Sequence, residues 1–157
     1  MAYLKLLILS FICIFSVHSY SEIDLPYNEE ANAKLELSNA LHSAKVNNRY
    51  LLLEFGANYC PDCRKLAKHF KTEEINSWLD KHVTVLPIDV GMSHELNKGL
   101  AWQYGNPVKK GIPSLVLLNP LGEMLFSTSE GELARARNID SDELLEWLEV
   151  NLGPLLK

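Results

Sequence analysis

The stretch "EFGANYCPDCRKL", residues 54–66, points most directly to the architecture, because it places two cysteines directly behind an apolar run. The run "YLLLEF", residues 50–55, has the length of a strand and no polar face, which favours a strand buried on both sides of a sheet. A glycine ends the strand, and Pro61 stands where a helix can begin without losing an N–H partner. The stretch therefore predicts a buried strand, a short loop that carries Cys60, and a helix that contains Cys63.

Outside this stretch, the apolar residues indicate further helices and strands. Three- and four-residue spacing predicts amphipathic helices, and short apolar runs predict buried strands. The helices are expected at residues 28–46, 61–79 with a restart or kink near 72, 93–105 and from 140 onward. The strands are expected at residues 50–55, 83–90, 114–119 and 123–128. Pro87 cannot donate to a strand ladder, which favours an edge position, a strand end or a bulge for that part of the second strand.

The order of these elements predicts an α/β fold in which helices cover both faces of a central mixed sheet, a three-layer sandwich. The strand–helix–strand unit forms the parallel part of the sheet, and the final hairpin forms the antiparallel part. The length of 157 residues favours one domain. The net charge of −5, without a basic stripe, argues against nucleic acid as a partner.

The first residues have the composition of a secretory signal peptide. Lys5 precedes an apolar run at residues 6–17, which is too short for a comfortable membrane span, and small residues follow the run. Cleavage is expected after Ser19, with a signal peptide at residues 1–19, a mature domain at residues 20–157 and a periplasmic location. An uncleaved N-terminal membrane anchor is the alternative.

Removal of this segment would take Cys13 with it and leave Cys60 and Cys63 as the only cysteines. A disulfide-stapled protein would need more bridges, and a bridge across so short a loop removes little entropy from the unfolded chain. A structural zinc site would need further ligands at matching spacing, and His69 lies largely off the helical face of Cys63. The residues favour a redox pair, while a metal site and an inert pair stay open.

The helix that begins near Pro61 gives the two cysteines different chemistry. Unpaired N–H groups at the helix N-terminus and the helix dipole stabilise a thiolate at Cys60. Cys63 lies one turn inside the helix on the same face, where burial keeps it a thiol. Cys60 is therefore the expected nucleophile, and Cys63 is expected to resolve the mixed disulfide.

Three segments, "LLLEFGANYCPDCRKL", "VTVLPIDV" and "GIPSLVLLNPLGEML", together resemble the thioredoxin family in their order and spacing. The resemblance covers residues 30–150, and it is closer to exported bacterial thioredoxin-like proteins, including the C-terminal domain of the transmembrane electron transporter of the Dsb system. It implies a thioredoxin fold and thiol–disulfide oxidoreductase activity on protein thiols and disulfides, without a cofactor or a bound metal.

The resemblance also implies roles for individual residues. Pro113 matches the family's cis-proline beside the cysteines, and the backbone of Ile112 would pair with a substrate strand. Tyr59 replaces the family's tryptophan before the first cysteine and would supply a similar aromatic wall. Glu54 matches the buried acid behind the second cysteine, whose raised pKa suits proton transfer to that cysteine. Val85 replaces the lysine that often accompanies this acid.

Pro61 and Asp62 fill the two positions between the cysteines, which tune redox poise in this family. The negative charge of Asp62 disfavours a thiolate at Cys60, so the reduced protein should be an electron donor. A protein on the reducing side needs an upstream thiol donor, at the membrane or in the periplasm. A function of a different class is that of a copper(I) metallochaperone or assembly factor, for which two thiolates are suitable ligands. The segment at residues 131–137 gives no indication of its role.

Overall fold

The computed structural model describes residues 25–157, and the predicted signal peptide lies outside them. Within these residues, helices and strands alternate along the chain. The helices are α1 (Ala33–Asn47), α2 (Pro61–Phe70), α3 (Glu73–His82), α4 (Lys98–Gln103) and α5 (Ser141–Asn151). The strands are β1 (Tyr50–Gly56), β2 (Val83–Asp89), β3 (Ser114–Leu118) and β4 (Met124–Ser127). Short 3₁₀ helices lie at Pro107–Lys110, Ala136–Asn138 and Gly153–Leu155.

The four strands form one mixed sheet in the order β2-β1-β3-β4. β1 and β2 are parallel, whereas β1 with β3 and β3 with β4 are antiparallel. The sheet is therefore mixed in the way that the sequence predicts. Pro87 belongs to the edge strand β2, where its missing N–H group breaks no internal ladder.

Two apolar clusters lie on opposite faces of the sheet and make the three layers. Leu51, Leu53 and Phe55 of β1 pack with α1 and α4 on one face. Leu52 packs with α2, α3 and α5 on the other face. Burying one leucine side chain stabilises a fold by about 2 kcal/mol. The buried leucines therefore hold β1 firmly in the sheet, and β1 supports the loop that follows it.

One helix boundary in the N-terminal half differs from the prediction. α1 begins at Ala33 and not at residue 28, because the Asn32 side chain accepts a hydrogen bond from the Leu35 N–H at 3.1 Å and caps the helix there. Of the restart or kink expected near residue 72, the structure shows the restart: α2 ends at Phe70, and α3 begins at Glu73.

The prediction of a helix over residues 93–105 is largely wrong. α4 covers only its second half, and residues 91–97 form turns in which Gly91, His94 and Asn97 have positive φ. A right-handed helix cannot pass through such residues. Asn97 stabilises the turn instead, since its Nδ2 donates to the carbonyl oxygen of Asp89 at the end of β2 at 2.8 Å.

Candidate active site

Cys60 lies between the end of β1 and the first turn of α2. It occupies the N-cap position, and Pro61 is the first residue of the helix, as predicted. The Cys60 sulfur accepts a hydrogen bond from the backbone N–H of Cys63 at 3.3 Å. It therefore does what a serine or aspartate side chain does at other helix N-termini, where the first N–H groups have no partner within the helix.

A second contact ties Cys60 to the segment before β3. The Cys60 S–H group donates to the carbonyl oxygen of Ile112 at 3.7 Å. The Ile112–Pro113 peptide bond is cis, and both residues are buried. The structure thus brings Ile112 and Pro113 to the cysteine pair, at the position expected for them.

Cys63 lies one helical turn behind Cys60 and is completely buried. Both cysteines are free thiols. Burial raises the pKa of the Cys63 thiol, its interactions with Cys60 and Glu54 raise it further, and a hydrogen bond from the Ala57 backbone opposes the rise. A thiol that is so hard to ionise needs a base to take its proton before it can attack another sulfur.

Glu54 lies on β1 with 2% of its surface exposed. Burial raises the pKa of its carboxyl group to about 7, and a hydrogen bond from Tyr27 opposes the rise. Tyr27 Oη donates this bond to Glu54 Oε1 at 2.7 Å. A carboxyl group with a pKa near neutrality can both hold and release a proton, as the prediction for Glu54 requires.

Tyr27 is a buried neighbour of the site that no sequence pattern indicated. It lies in the irregular segment before α1, and the side chain of Asn58 holds its backbone. Tyr27 N–H donates to Asn58 Oδ1 at 3.0 Å, and Asn58 Nδ2 donates to the Tyr27 carbonyl oxygen at 2.8 Å. These bonds fix the N-terminal segment to the loop that carries Cys60. Because Tyr27 lies 31 residues before Asn58 and belongs to no motif, no sequence pattern indicated these bonds.

Gly56 makes the space in which the Tyr27 hydroxyl lies. A Cβ atom at this position would stand 2.0 Å from Tyr27 Oη and 3.0 Å from Cys63 Sγ. Both atoms therefore pack against the backbone at the end of β1, close to Glu54. Any larger residue at position 56 would displace Tyr27 or the strand.

Asp62 is buried and paired, which changes its expected effect on Cys60. Its Oδ1 accepts hydrogen bonds from Arg137 N–H at 3.0 Å and from Arg137 Nε at 3.1 Å. Its Oδ2 lies 3.0 Å from Arg137 Nη2. A fork of this kind compensates most of the carboxylate charge. The segment at residues 131–137, which had no assigned role, thus supplies the partner of Asp62 across 75 residues of sequence.

Tyr59 is exposed next to Cys60 and is paired with a histidine that the sequence did not indicate. Its hydroxyl shares a hydrogen bond with His94 Nε2 at 2.8 Å, and the two rings stack with centroids 6.5 Å apart. His94 belongs to the turns before α4, where a helix was expected. Burial, followed by the nearby cysteines, raises the pKa of Tyr59. An exposed aromatic ring therefore lies directly before Cys60 in the chain.

Glu54→Gln is expected to change the pH dependence of stability. The carboxyl group has an ordinary pKa of 4.5 and a pKa of about 7 in the fold, so the folded state binds its proton more tightly. The resulting stabilisation is full below pH 4.5 and falls by about 3 kcal/mol as the pH rises through 7. Urea denaturation from pH 4 to pH 8 should show this fall in the wild type and not in the variant.

The matched control for this prediction is Glu149→Gln, because Glu149 is exposed on α5. Its free energy of unfolding should follow the wild-type curve at every pH. A constant difference between wild type and Glu54→Gln over the whole range would contradict a buried carboxyl group that titrates near neutrality.

Comparisons with known proteins agree with this geometry. The sequence pattern of the thioredoxin-like family matches residues 31–120, which is more than half of the chain. The chain is similar to the disulphide isomerase of Xylella fastidiosa Temecula1, with 36% sequence identity and a TM-score of 0.79. That similarity covers 82% of this chain and 98% of the other one.

Two further proteins are similar over different shares of their length. A protein disulfide-isomerase of Datisca glomerata is 29% identical in an alignment of 146 residues that covers 89% of this chain and 26% of the relative. The chain thus spans about a quarter of that curated protein. The reduced C-terminal domain of DsbD from Neisseria meningitidis is 21% identical, with a TM-score of 0.56 over 75% of this chain and 96% of that domain, a likeness of fold. Since the family pattern covers more than half of the sequence and the sheet has the expected mixed topology, the chain belongs to the thioredoxin-like family and has the thioredoxin fold.

Proposed function

We propose that the protein is a thiol–disulfide oxidoreductase of the cell envelope that exchanges disulfides through Cys60 and Cys63. The observation that carries the proposal is the Cys60 sulfur at the N-cap of α2, with the Cys63 thiol one turn behind it. Similarity to proteins described as disulfide isomerases supports it. The proposed substrates are protein thiols and disulfides, and the chemistry requires no cofactor.

The proposed reaction has two exchange steps. The Cys60 thiolate attacks one sulfur of a substrate disulfide, the substrate S–S bond breaks, and the other substrate sulfur leaves as a thiolate. Cys63 then attacks the Cys60 sulfur, which forms the Cys60–Cys63 disulfide and releases the second substrate thiolate. Two electrons thereby pass from the protein to the substrate.

Ile112, Pro113 and Tyr59 are the proposed substrate-binding residues. The Ile112 carbonyl oxygen lies at the Cys60 sulfur, so a peptide that reaches this sulfur also meets the backbone of the Ile112–Pro113 segment. Tyr59 has 45% of its surface exposed beside the same sulfur. An extended substrate segment would pair with the backbone of Ile112 and pack a side chain against the Tyr59 ring.

The proposal puts the protein on the reducing side, for a reason that differs from the sequence argument. Arg137 compensates the charge of Asp62, from which the sequence predicts this direction. The support now comes from the surroundings of the Cys60 sulfur, to which one backbone N–H donates at 3.3 Å and which faces the carbonyl oxygen of Ile112. Strong thiol oxidants stabilise their reduced form, and a single donated hydrogen bond offers little such stabilisation. Such a protein needs an upstream thiol donor at the membrane or in the periplasm.

The reduction potential of the Cys60–Cys63 pair tests this direction. Purified protein is equilibrated with glutathione buffers, and the reduced fraction is measured by alkylation and mass spectrometry. We expect a potential well below the roughly −120 mV of a strong thiol oxidant. A value near −120 mV would contradict the proposal that the protein acts as a reductant, but it would not contradict thiol–disulfide exchange itself.

The Asp62–Arg137 ion pair should tune this potential. Arg137→Gln leaves a buried negative charge unpaired near Cys60, so the potential should fall by up to about 30 mV, equivalent to about 1.4 kcal/mol. Asp62→Asn leaves the arginine cation alone and should raise the potential. Arg135→Gln, at an exposed position of the same segment, is the control and should leave it unchanged. Equal shifts for the two arginine variants would contradict a role of the pair.

The envelope location depends on the predicted signal peptide at residues 1–19. Among residues 25–157, no helix combines the length and the apolar character needed to cross a membrane. An uncleaved anchor would hold the same domain at the membrane surface. N-terminal sequencing of protein recovered from a bacterial envelope separates the two: a chain that begins at Tyr20 supports cleavage, and one that begins at Met1 supports the anchor.

Copper(I) binding is the second candidate function, because the Cys60 and Cys63 sulfurs are neighbours and thiolates are good copper(I) ligands. The copper(I) ion would be held by these two sulfurs. Residues 25–157 contain no cluster of three or more histidine, cysteine, aspartate or glutamate side chains suited to a metal ion. Titration of the reduced protein with copper(I) against a chelator, compared with Cys60→Ala, measures this binding directly. Tight binding together with undetectable disulfide exchange would favour the copper function.

A further inference from the structure

Three buried polar groups lie together behind Cys60: the Cys63 thiol, the Tyr27 hydroxyl and the Glu54 carboxyl group. Their residues have 0%, 2% and 2% of their surfaces exposed. Tyr27 Oη donates to Glu54 Oε1 at 2.7 Å. The Cys63 Sγ is a neighbour of this Oη: the two atoms lie 3.0 Å and 2.0 Å from the place that a Cβ at Gly56 would occupy. Tyr27 thus bonds to the acid and lies beside the resolving thiol.

We propose that Tyr27 relays the proton of the Cys63 thiol to Glu54 when Cys63 resolves a mixed disulfide. The inference rests on the proposed function, because it concerns the second step of that reaction. A hydroxyl group suits a relay, since it can accept one hydrogen bond while it donates another.

The step balances in protons and electrons. Cys63 S–H gives its proton to Tyr27 Oη while the Tyr27 hydroxyl proton moves to Glu54 Oε1. The Cys63 thiolate attacks the Cys60 sulfur, the bond between Cys60 and the substrate sulfur breaks, and the Cys60–Cys63 bond forms. The substrate leaves as a thiolate with the electron pair of the broken bond. Tyr27 ends with one proton, as it began, and Glu54 ends protonated.

Tyr27 carries the proton without acting as the base. Burial raises the pKa of its hydroxyl group, and the neighbouring Glu54 and Cys63 raise it further. A tyrosinate is therefore not formed, and the negative charge passes from Glu54 to the sulfurs while Tyr27 stays neutral. The two hydrogen bonds between its backbone and Asn58 hold the ring at this position.

The proton on Glu54 has a route to solvent. A cleft of about 430 Å³ between α2, α3 and the edge strand β2 reaches Glu54. Charged side chains of Arg49, Lys71 and Asp80 also line this cleft. Tyr27 and Cys63 are the titratable groups that interact with Glu54. After the substrate has left, Glu54 can release its proton through the cleft.

The test separates the two sulfur steps with one reagent. Reduced protein is mixed with a stoichiometric amount of dithiobis(nitrobenzoate), an aromatic disulfide whose released thiolate is coloured. Attack by Cys60 releases the first thiolate, and resolution by Cys63 releases the second. Stopped-flow absorbance therefore follows each step, and the wild type should show two phases.

Tyr27→Phe should keep the rate of the first phase within about twofold and slow the second phase at least about tenfold. It should also move the pH midpoint of the second phase upward, because the hydrogen bond that lowers the pKa of Glu54 is lost. If Tyr27 only held Glu54 by this hydrogen bond, the variant would shift the midpoint but would reach the wild-type rate of the second phase at pH values above the midpoint. Tyr104→Phe, which removes the hydroxyl of another buried tyrosine, is the matched control and should change neither phase.

Glu54→Gln is the second variant and keeps the relay falsifiable if Tyr27→Phe does not fold. It should slow the second phase at least as much as Tyr27→Phe and abolish its pH midpoint. A wild-type second phase in either variant overturns the relay and leaves the proposed function standing. A wild-type protein that never releases a second thiolate overturns the proposed function itself.

Discussion

Cys60→Ala is expected to lower the rate of disulfide reduction at least about 10³-fold, because it removes the nucleophile. Cys63 cannot take its place, since it is completely buried behind the first turn of α2. The measurement is the reduction of a peptide disulfide in the presence of a chemical reductant that regenerates the site. Cys60→Ser is the companion variant: serine can still cap the helix and should preserve stability, yet it should be equally inactive.

Cys63→Ala separates the two roles. It should retain the first attack and lose turnover, because the mixed disulfide on Cys60 is no longer resolved from within the protein. Activity above about one tenth of the wild-type value in Cys60→Ala would mean that another group begins the reaction, and the assignment of the nucleophile would be wrong.

Gly56→Ala is expected to destabilise the protein by about 4 kcal/mol, measured by urea denaturation. The added methyl group would stand 2.0 Å from Tyr27 Oη and 2.4 Å from Tyr27 Cζ. The Tyr27 side chain cannot move away without breaking its hydrogen bond to Glu54, because Asn58 holds the Tyr27 backbone in place. The expected loss combines overpacking, which costs about 1–3 kcal/mol, with the loss of a buried hydrogen bond, which costs a similar amount.

Gly99→Ala is the matched control, because a Cβ at that position in α4 would have nothing within 4 Å. Alanine there should be neutral or stabilise the protein by up to about 1 kcal/mol through its helix propensity. Adding Tyr27→Ala to Gly56→Ala should make the glycine substitution much less costly, because the truncated side chain frees the space. A Gly56→Ala protein as stable as the wild type would contradict the packing of Tyr27 against β1.

The parts of the fold that were predictable are those with local physical causes. A continuous apolar run at residues 50–55 is typical of a central strand, and β1 is indeed buried on both faces. Pro61 suits the first position of a helix, and α2 begins there. These two local features place Cys60 at the N-cap and Cys63 one turn inside, so the position of the cysteine pair followed from the sequence.

The parts that were not predictable depend on contacts between distant residues. Tyr27 reaches Glu54 across 27 residues, and Arg137 reaches Asp62 across 75, and no local pattern marks either pair. The second contact changed the argument on redox poise, because a charge that looked unpaired in the sequence is compensated in the fold. The helix predicted before α4 is absent for a similar reason. The Asn97 side chain donates a hydrogen bond to the end of β2 and holds the chain in turns.

The most direct test of the central claim is a peptide map of the trapped intermediate. Reduced Cys63→Ala protein is incubated with a peptide that contains one disulfide, quenched in acid, digested without reductant and analysed by mass spectrometry. We expect a peptide adduct on Cys60 that dithiothreitol removes, and little adduct in the Cys60→Ala protein treated in the same way. No adduct on Cys60, or an equal yield on Cys63 in the Cys60→Ala protein, would contradict attack by Cys60 and resolution by Cys63.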